Sequence, residues 1–144
     1  MRRRHILWLA FVLVLSLAAA GCGGGGEKKS EERADIVCDG SALAGDTGLP
    51  ANFPTWDEVT LVEKRNDGPT LIVNGYFDGD LKSAHDEYKQ RLEAAGYTVL
   101  FDELEDEDSE VSYKDADGKT SGQVALRDTC DNGHIAVHIT NRPA

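Results

Sequence analysis

From Trp56 onward the chain alternates apolar and polar side chains, with one interruption. WDEVTLVEKR puts Val59 and Leu61 on one side, the period of two that marks a strand buried on one face. Asn66-Asp67-Gly68-Pro69 is a turn signal and PTLIVNGYF a second alternating run, so the two predict a hairpin. The period then changes. Leu81, Ala84, His85, Tyr88, Leu92 and Ala95 recur at intervals of three and four, one face of a helix. Asp80 stands where an N-cap carboxylate would accept from free backbone N–H groups, and Gly96 where a left-handed residue would stop the helix. YTVLFDEL, SEVSYKDA, TSGQVALRD and HIAVHIT return to alternation as four more strands, with Asp117-Gly118 as a hairpin turn. The order is β-β-α-β-β-β-β. It predicts an α+β domain, an antiparallel sheet of about six strands with one amphipathic helix packed on one face. Alternation specifies faces but not neighbours, so the strand order stays open.

The N-terminus follows another logic. Arg2, Arg3 and Arg4 precede an apolar run from Ile6 to Ala20, broken only by Ser16. A cationic start, a short apolar stretch and small residues at its end are the layout of an export signal. The run falls short of the roughly 20 residues that span a bilayer. Its end, Ala19-Ala20-Gly21-Cys22, resembles the lipobox of bacterial lipoproteins, with Ala19 where that family usually carries Leu. The resemblance implies cleavage before Cys22 and attachment of its thiol to a diacylglycerol, with acyl chains of the palmitate type. Arg3-Arg4-His5-Ile6-Leu7 also fits the core of a twin-arginine signal without its usual flanks, so the export route has two alternatives. The expected organisation is a lipoprotein signal peptide at 1–21 and a lipidated Cys22 with a flexible Gly/charged linker to residue 34. A single domain follows at 35–144, opening with an irregular arm at 35–55. The eleven linker residues GGGGEKKSEER have an end-to-end distance of roughly 17–20 Å, enough to lift the domain off the headgroups.

Charge narrows the partners. Without the three N-terminal arginines, 12 Lys+Arg face 26 Asp+Glu, a formal charge of −14. Nucleic-acid binding needs Lys and Arg to neutralise phosphates, so nucleic acid is not an expected partner. Anionic headgroups would repel the same surface, which leaves the acyl chains to hold the protein on the extracytoplasmic face of the cell membrane.

With Cys22 taken by lipid, Cys38 and Cys130 form an even pair outside the cytoplasm, most simply a disulfide. It would staple to the last strand an arm whose own hydrophobic drive to dock looks small. A zinc site is the competing use: Cys38, Cys130, His134 and His138 have Cys₂His₂ composition. However, Ile135, Val137 and Ile139 alternate as in a strand, where four residues span about 13 Å. The two histidines would then not both reach one ion about 2 Å away. No metal or other cofactor is expected.

Residues 102–110 carry seven carboxylates in nine positions. A solvated hairpin tip accounts for them, and a weak Ca²⁺-binding module is the minor alternative. His85, in phase with the apolar stripe, is expected to be packed rather than catalytic. Ser41 lacks a glycine-flanked elbow, and no spacing suggests a triad, so enzymatic activity is not expected.

Leu49-Pro50-x-x-Phe53-Pro54, the strand pair, and Tyr88…Leu92…Ala95-Gly96-Tyr97-x-Val99 together resemble small actinobacterial lipoproteins and secreted domains. The resemblance covers residues 49–141 and implies the same hairpin, helix and meander, without an activity. The expected role is a lipid-anchored, non-enzymatic interaction or accessory module of the cell envelope, with an envelope protein or the cell wall as partner. The alternative is a carrier or sensor of a small apolar ligand held between helix and sheet, lined by Leu71, Val73, Phe77, Tyr88, Leu92, Val99 and Phe101.

Overall fold

The computed structural model describes residues 36–144. The signal peptide, Cys22 and the linker therefore lie outside the described residues. The strands are β1 (Thr60–Asp67), β2 (Thr70–Asp78), β3 (Thr98–Leu104), β4 (Asp108–Lys114), β5 (Thr120–Arg127) and β6 (His134–Pro143). The helix α1 (Leu81–Ala94) lies between β2 and β3. All six strands form one antiparallel sheet in the order β1-β2-β6-β5-β4-β3. The α+β architecture expected from the alternation is the one observed.

Local chemistry explains where α1 begins and ends. Asp80 is extended, and its carboxylate accepts from the Ser83 N–H at 2.8 Å, which satisfies one of the free donors of the first turn. At the other end Gly96 has φ +89°, the Tyr97 N–H donates to the Leu92 carbonyl, and the Gly96 N–H donates to the Glu93 carbonyl. These paired bonds are a Schellman closure, and a left-handed glycine is what permits them.

The strand order comes from a join that the chain makes late. β3, β4, β5 and β6 form a meander, and β6 then lies against β2 from Leu71↔Asn141 to Asp78↔His134. Four antiparallel steps separate β2 from β3, so those two strands run parallel, and α1 carries the chain back and across between them. Fourteen residues of helix reach about 21 Å, against roughly 19 Å for four strand spacings.

One face of the sheet supplies the core. Val73 and Phe77 of β2, Val111 and Tyr113 of β4, Val124 and Leu126 of β5, and Ile135, Val137 and Ile139 of β6 are buried together with Leu81, Ala84, Tyr88 and Leu92 of α1. The helix packs over β3, β4 and β5. The irregular segment 36–59 closes the rest. Leu49 and Phe53 are buried in the same core, with Leu43, Trp56 and Val59 packed against it. Trp56 sits 4.1 Å from Tyr88 and 6.2 Å from Phe77, centroid to centroid, with the Arg91 guanidinium 5.0 Å from its ring. Phe53, Tyr97 and Tyr113 form a second aromatic cluster at 5.3–5.9 Å. The expectation that the arm has little hydrophobic reason to dock is therefore corrected, because its apolar residues complete the core.

The arm reaches that position by passing round the edge of β1. It starts beside the opposite face, where Cys38 is bonded to Cys130 and the Tyr76 hydroxyl donates to the Gly40 carbonyl. The Leu43 N–H then donates to the Leu61 carbonyl at 2.8 Å, and Leu49 enters the core. The expected disulfide is present, with a Cα–Cα separation of 5.6 Å across 92 residues of sequence.

Two strands carry bulges. On β1 the register shifts between Leu61 and Glu63, and on β3 between Val99 and Phe101. Each inserts one extra residue and reverses the parity of everything after it.

Two outcomes test this packing. Gly122 lies opposite Tyr113, whose hydroxyl passes over it to donate to the Thr140 carbonyl at 2.8 Å. A methyl placed on Gly122 would overlap that hydroxyl and the Thr140 oxygen. Gly122→Ala should lower stability by about 1–3 kcal/mol in urea unfolding. Burial also pushes the Tyr88 and Tyr113 phenols above the ordinary tyrosine value. The unfolded chain ionises them first. Their contribution is therefore fully present below pH 10 and falls as pH rises beyond it, and the urea midpoint should drop as pH is raised above 10.

Candidate functional site

The sheet face opposite the helix carries mainly polar side chains, with Ile72, Ala125 and Ala136 buried among them. Strand parity puts Glu63 and Arg65 of β1, Asn74 and Tyr76 of β2, His134 and His138 of β6, Gln123 and Arg127 of β5, and Asp108 and Glu110 of β4 on this side. These groups are tied to one another. Asn74 is fully buried, donating to Glu63 Oε2 at 3.1 Å, while its Oδ1 lies 2.7 Å from His138 Nδ1, which donates to it. Gln123 Nε2 and Arg127 Nη2 both donate to Glu110, at 2.8 and 2.9 Å, and Arg127 Nε pairs with Asp108 at 2.7 Å. His134 stacks on Tyr76 at 4.7 Å, donates from Nδ1 to the Cys38 carbonyl and turns Nε2 to Asp78 at 3.1 Å.

These bonds also place the four residues of the zinc alternative. Cys38 and Cys130 are bonded to each other, and His134 and His138 have separate partners on the open face. Among the described residues, no three His, Cys, Asp or Glu side chains are grouped as a metal ion requires.

His85 is packed, as expected, but among polar groups. Its Nδ1 lies 2.8 Å from Ser109 Oγ, and its Nε2 faces Asp102 Oδ2 at 3.5 Å. Lys89 closes the chain by donating to Asp102 at 2.8 Å. The hydrogen bond from Lys89 holds the Asp102 carboxyl below the ordinary carboxylate range, and the same bond raises the Lys89 ammonium. Serine, histidine and aspartate in line suggest a nucleophile, but Ser109 is 1% exposed beneath α1, where no substrate carbonyl can approach it. The arrangement is suited to satisfying buried polar groups between helix and sheet. A cue to it was present: Ser109 has the same parity as Val111 and Tyr113, so a hydroxyl falls in an otherwise apolar stripe.

The seven residues expected to line an apolar pocket do not stay together. Val73, Phe77, Tyr88 and Leu92 are buried in the core, and Leu71 and Val99 pack against it. Trp56 covers Tyr88, so this chain's own side chains occupy the space between helix and sheet there. Phe101 is a correction. Straight alternation puts it beside Val99, but the β3 bulge turns it to pair with Ser112 on the opposite face, 51% exposed. A concavity does exist elsewhere, between the arm and β1. About 550 Å³ in volume, it is lined by Leu43, Leu49, Phe53, Trp56, Val59 and Leu61 with Asp46, Thr47 and Asp57 among the polar groups.

The acidic stretch divides between strands and turn. Asp102 and Glu103 belong to β3, Asp108 and Glu110 to β4, and only Glu105–Glu107 form the tip, closed by the Glu105 N–H donating to the Asp108 carbonyl at 2.7 Å.

No family model, no curated protein and no solved structure matches this chain.

The buried bond between His85 and Ser109 can be weighed directly. Ser109→Ala leaves Nδ1 without its partner and should cost about 1–3 kcal/mol, whereas His85→Leu combined with Ser109→Ala should cost less than the sum of the single changes. Urea unfolding of the three variants measures the difference.

Proposed function

We propose that this chain is a lipid-anchored extracytoplasmic protein whose α+β domain serves as a non-enzymatic interaction or accessory module of the cell envelope. The observation that carries the proposal is the bond between Cys38 and Cys130. Such bonds persist in oxidising compartments. It also consumes two of three cysteines and leaves Cys22, directly behind a cationic and then apolar segment, as the residue for lipid. The likeness to small actinobacterial lipoproteins points the same way. Among the described residues no helix is long and apolar enough to cross a membrane, and the attachment proposed is through acyl chains on Cys22. The burial of Ser109 supports a module that binds rather than one that performs acyl transfer. Envelope proteins or the cell wall are the partners proposed, and nucleic acid is not.

A second reading is favoured by the concavity between the arm and β1, whose size and mixed polar and apolar lining suit a small ligand. Native mass spectrometry of the purified protein separates the two, since a carrier would bring a bound small molecule with it.

Anchoring is tested by Cys22→Ser. The unsubstituted chain should take up labelled palmitate and stay with the membrane fraction in high salt, and the variant should lose the label. Equal labelling of both would remove the lipid anchor from the proposal.

A further inference from the structure

The two edges of the sheet are finished differently. Along β1 runs the arm, with the Leu43 N–H bonded to the Leu61 carbonyl and Gly40 lying against Val62. At the other edge β3 pairs with β4 alone, and its outer side meets no strand. That is also where apolar side chains are left in water. Of four large hydrophobic residues exposed among those described, three are on β3: Leu100 at 57%, Phe101 at 51% and Leu104 at 39%. Soluble proteins usually protect such an edge, because a row of unpaired N–H and C=O groups is a template for another strand. Apolar side chains along the row favour pairing further.

Charge indicates which strand fits. Asp102 is paired with Lys89, and Asp108 and Glu110 with Arg127. Glu103, Glu105, Asp106 and Glu107 have no cationic partner among the described residues. A second copy of this chain would bring the same excess of carboxylates, 26 Asp+Glu against 15 Lys+Arg, to this edge and be repelled by it. A segment with positive charge meets no such penalty and gains attraction instead.

We infer that β3 is a docking edge that accepts an extended, basic segment of another protein by strand addition. The backbone of the incoming segment bonds to the free side of β3, its apolar side chains lie beside Leu100 and Phe101, and its Lys or Arg side chains face Glu103 and Glu105. This deepens the interaction-module proposal by naming the surface and the chemistry of its partner. Lipid attachment and strand addition can fail separately, since the Cys22→Ser experiment reads lipid alone and the following one reads peptide alone.

The test uses the full-length protein in detergent with a ten-residue lysine/valine peptide, Val-Thr-Lys-Thr-Val-Thr-Lys-Thr-Val-Thr, whose valines and lysines share one face of a strand as Phe101 and Glu103 share one face of β3. Controls are a glutamate/valine peptide and the lysine/valine peptide N-methylated at alternate residues, which keeps its charge but cannot pair as a strand. The lysine/valine peptide should bind, slow amide hydrogen exchange at residues 100–104, and weaken as salt rises. Affinity should fall at least tenfold for the N-methylated peptide, for Phe101→Ser, and for Glu103→Gln combined with Glu105→Gln. These side chains are exposed, so each variant should keep the thermal melting of the parent. Equal binding of the parent and N-methylated peptides would overturn the inference. So would protection confined to other strands, or a protein dimer that already protects β3 without peptide.

Discussion

Six strands are wider than one helix can cover. Five strand spacings span about 24 Å, and a helix with its side chains is about 10 Å across. Laid over β3, β4 and β5, α1 leaves the apolar side of β1, β2 and β6 to be closed by something else. The arm does this with Leu49, Phe53 and Trp56, and most other features of the fold serve that closure. Trp56 joins the two coverings, with Tyr88 of the helix on one side and Phe77 of the sheet on another. The Asn52 amide and the Tyr97 hydroxyl fasten the arm to the end of the helix, Asn52 donating to the Ala95 carbonyl and Tyr97 donating to Asn52. The disulfide holds the arm's other end at the opposite face. In the chain-entropy view it acts chiefly by restricting the unfolded chain, while the apolar contacts act in the folded one.

This arrangement also sets the character of the surface. Because the arm must reach the core from the far face, it passes along the edge of β1 and caps it. The uncapped edge is β3, at the other side of the sheet. The open face between the edges holds charges already spent on one another, through Glu110 with Gln123 and Arg127, and Asn74 with Glu63 and His138. A partner docking there would have to break existing bonds. At β3 the backbone groups of the edge and several carboxylates are unengaged, which makes an encounter less costly.

Much of the fold was legible because the two periodicities involved are strong and local. The strands and helix appeared near their observed bounds, as did Asp80 and Gly96 at the helix ends, since capping and left-handed turns depend on a few neighbouring residues. Phe101 shows the limit. A bulge is one residue long and leaves no mark in an alternating pattern, yet it moved that side chain from the expected lining to the open face. Ser109 shows another. Its meeting with His85 joins residues 24 apart in sequence, and no local pattern encodes the contact.

By itself the sequence determined the element order, the facing of most strands, the pairing of Cys38 with Cys130 and the acidic character of the domain. Each follows from neighbouring residues or from counting. Tertiary structure alone decided that β6 lies between β2 and β5, that the arm wraps the β1 edge to complete the core, and that the outer side of β3 is left without a partner strand. Those outcomes depend on how much apolar area each covering can bury once all the elements are present, and that quantity exists only when the chain is folded.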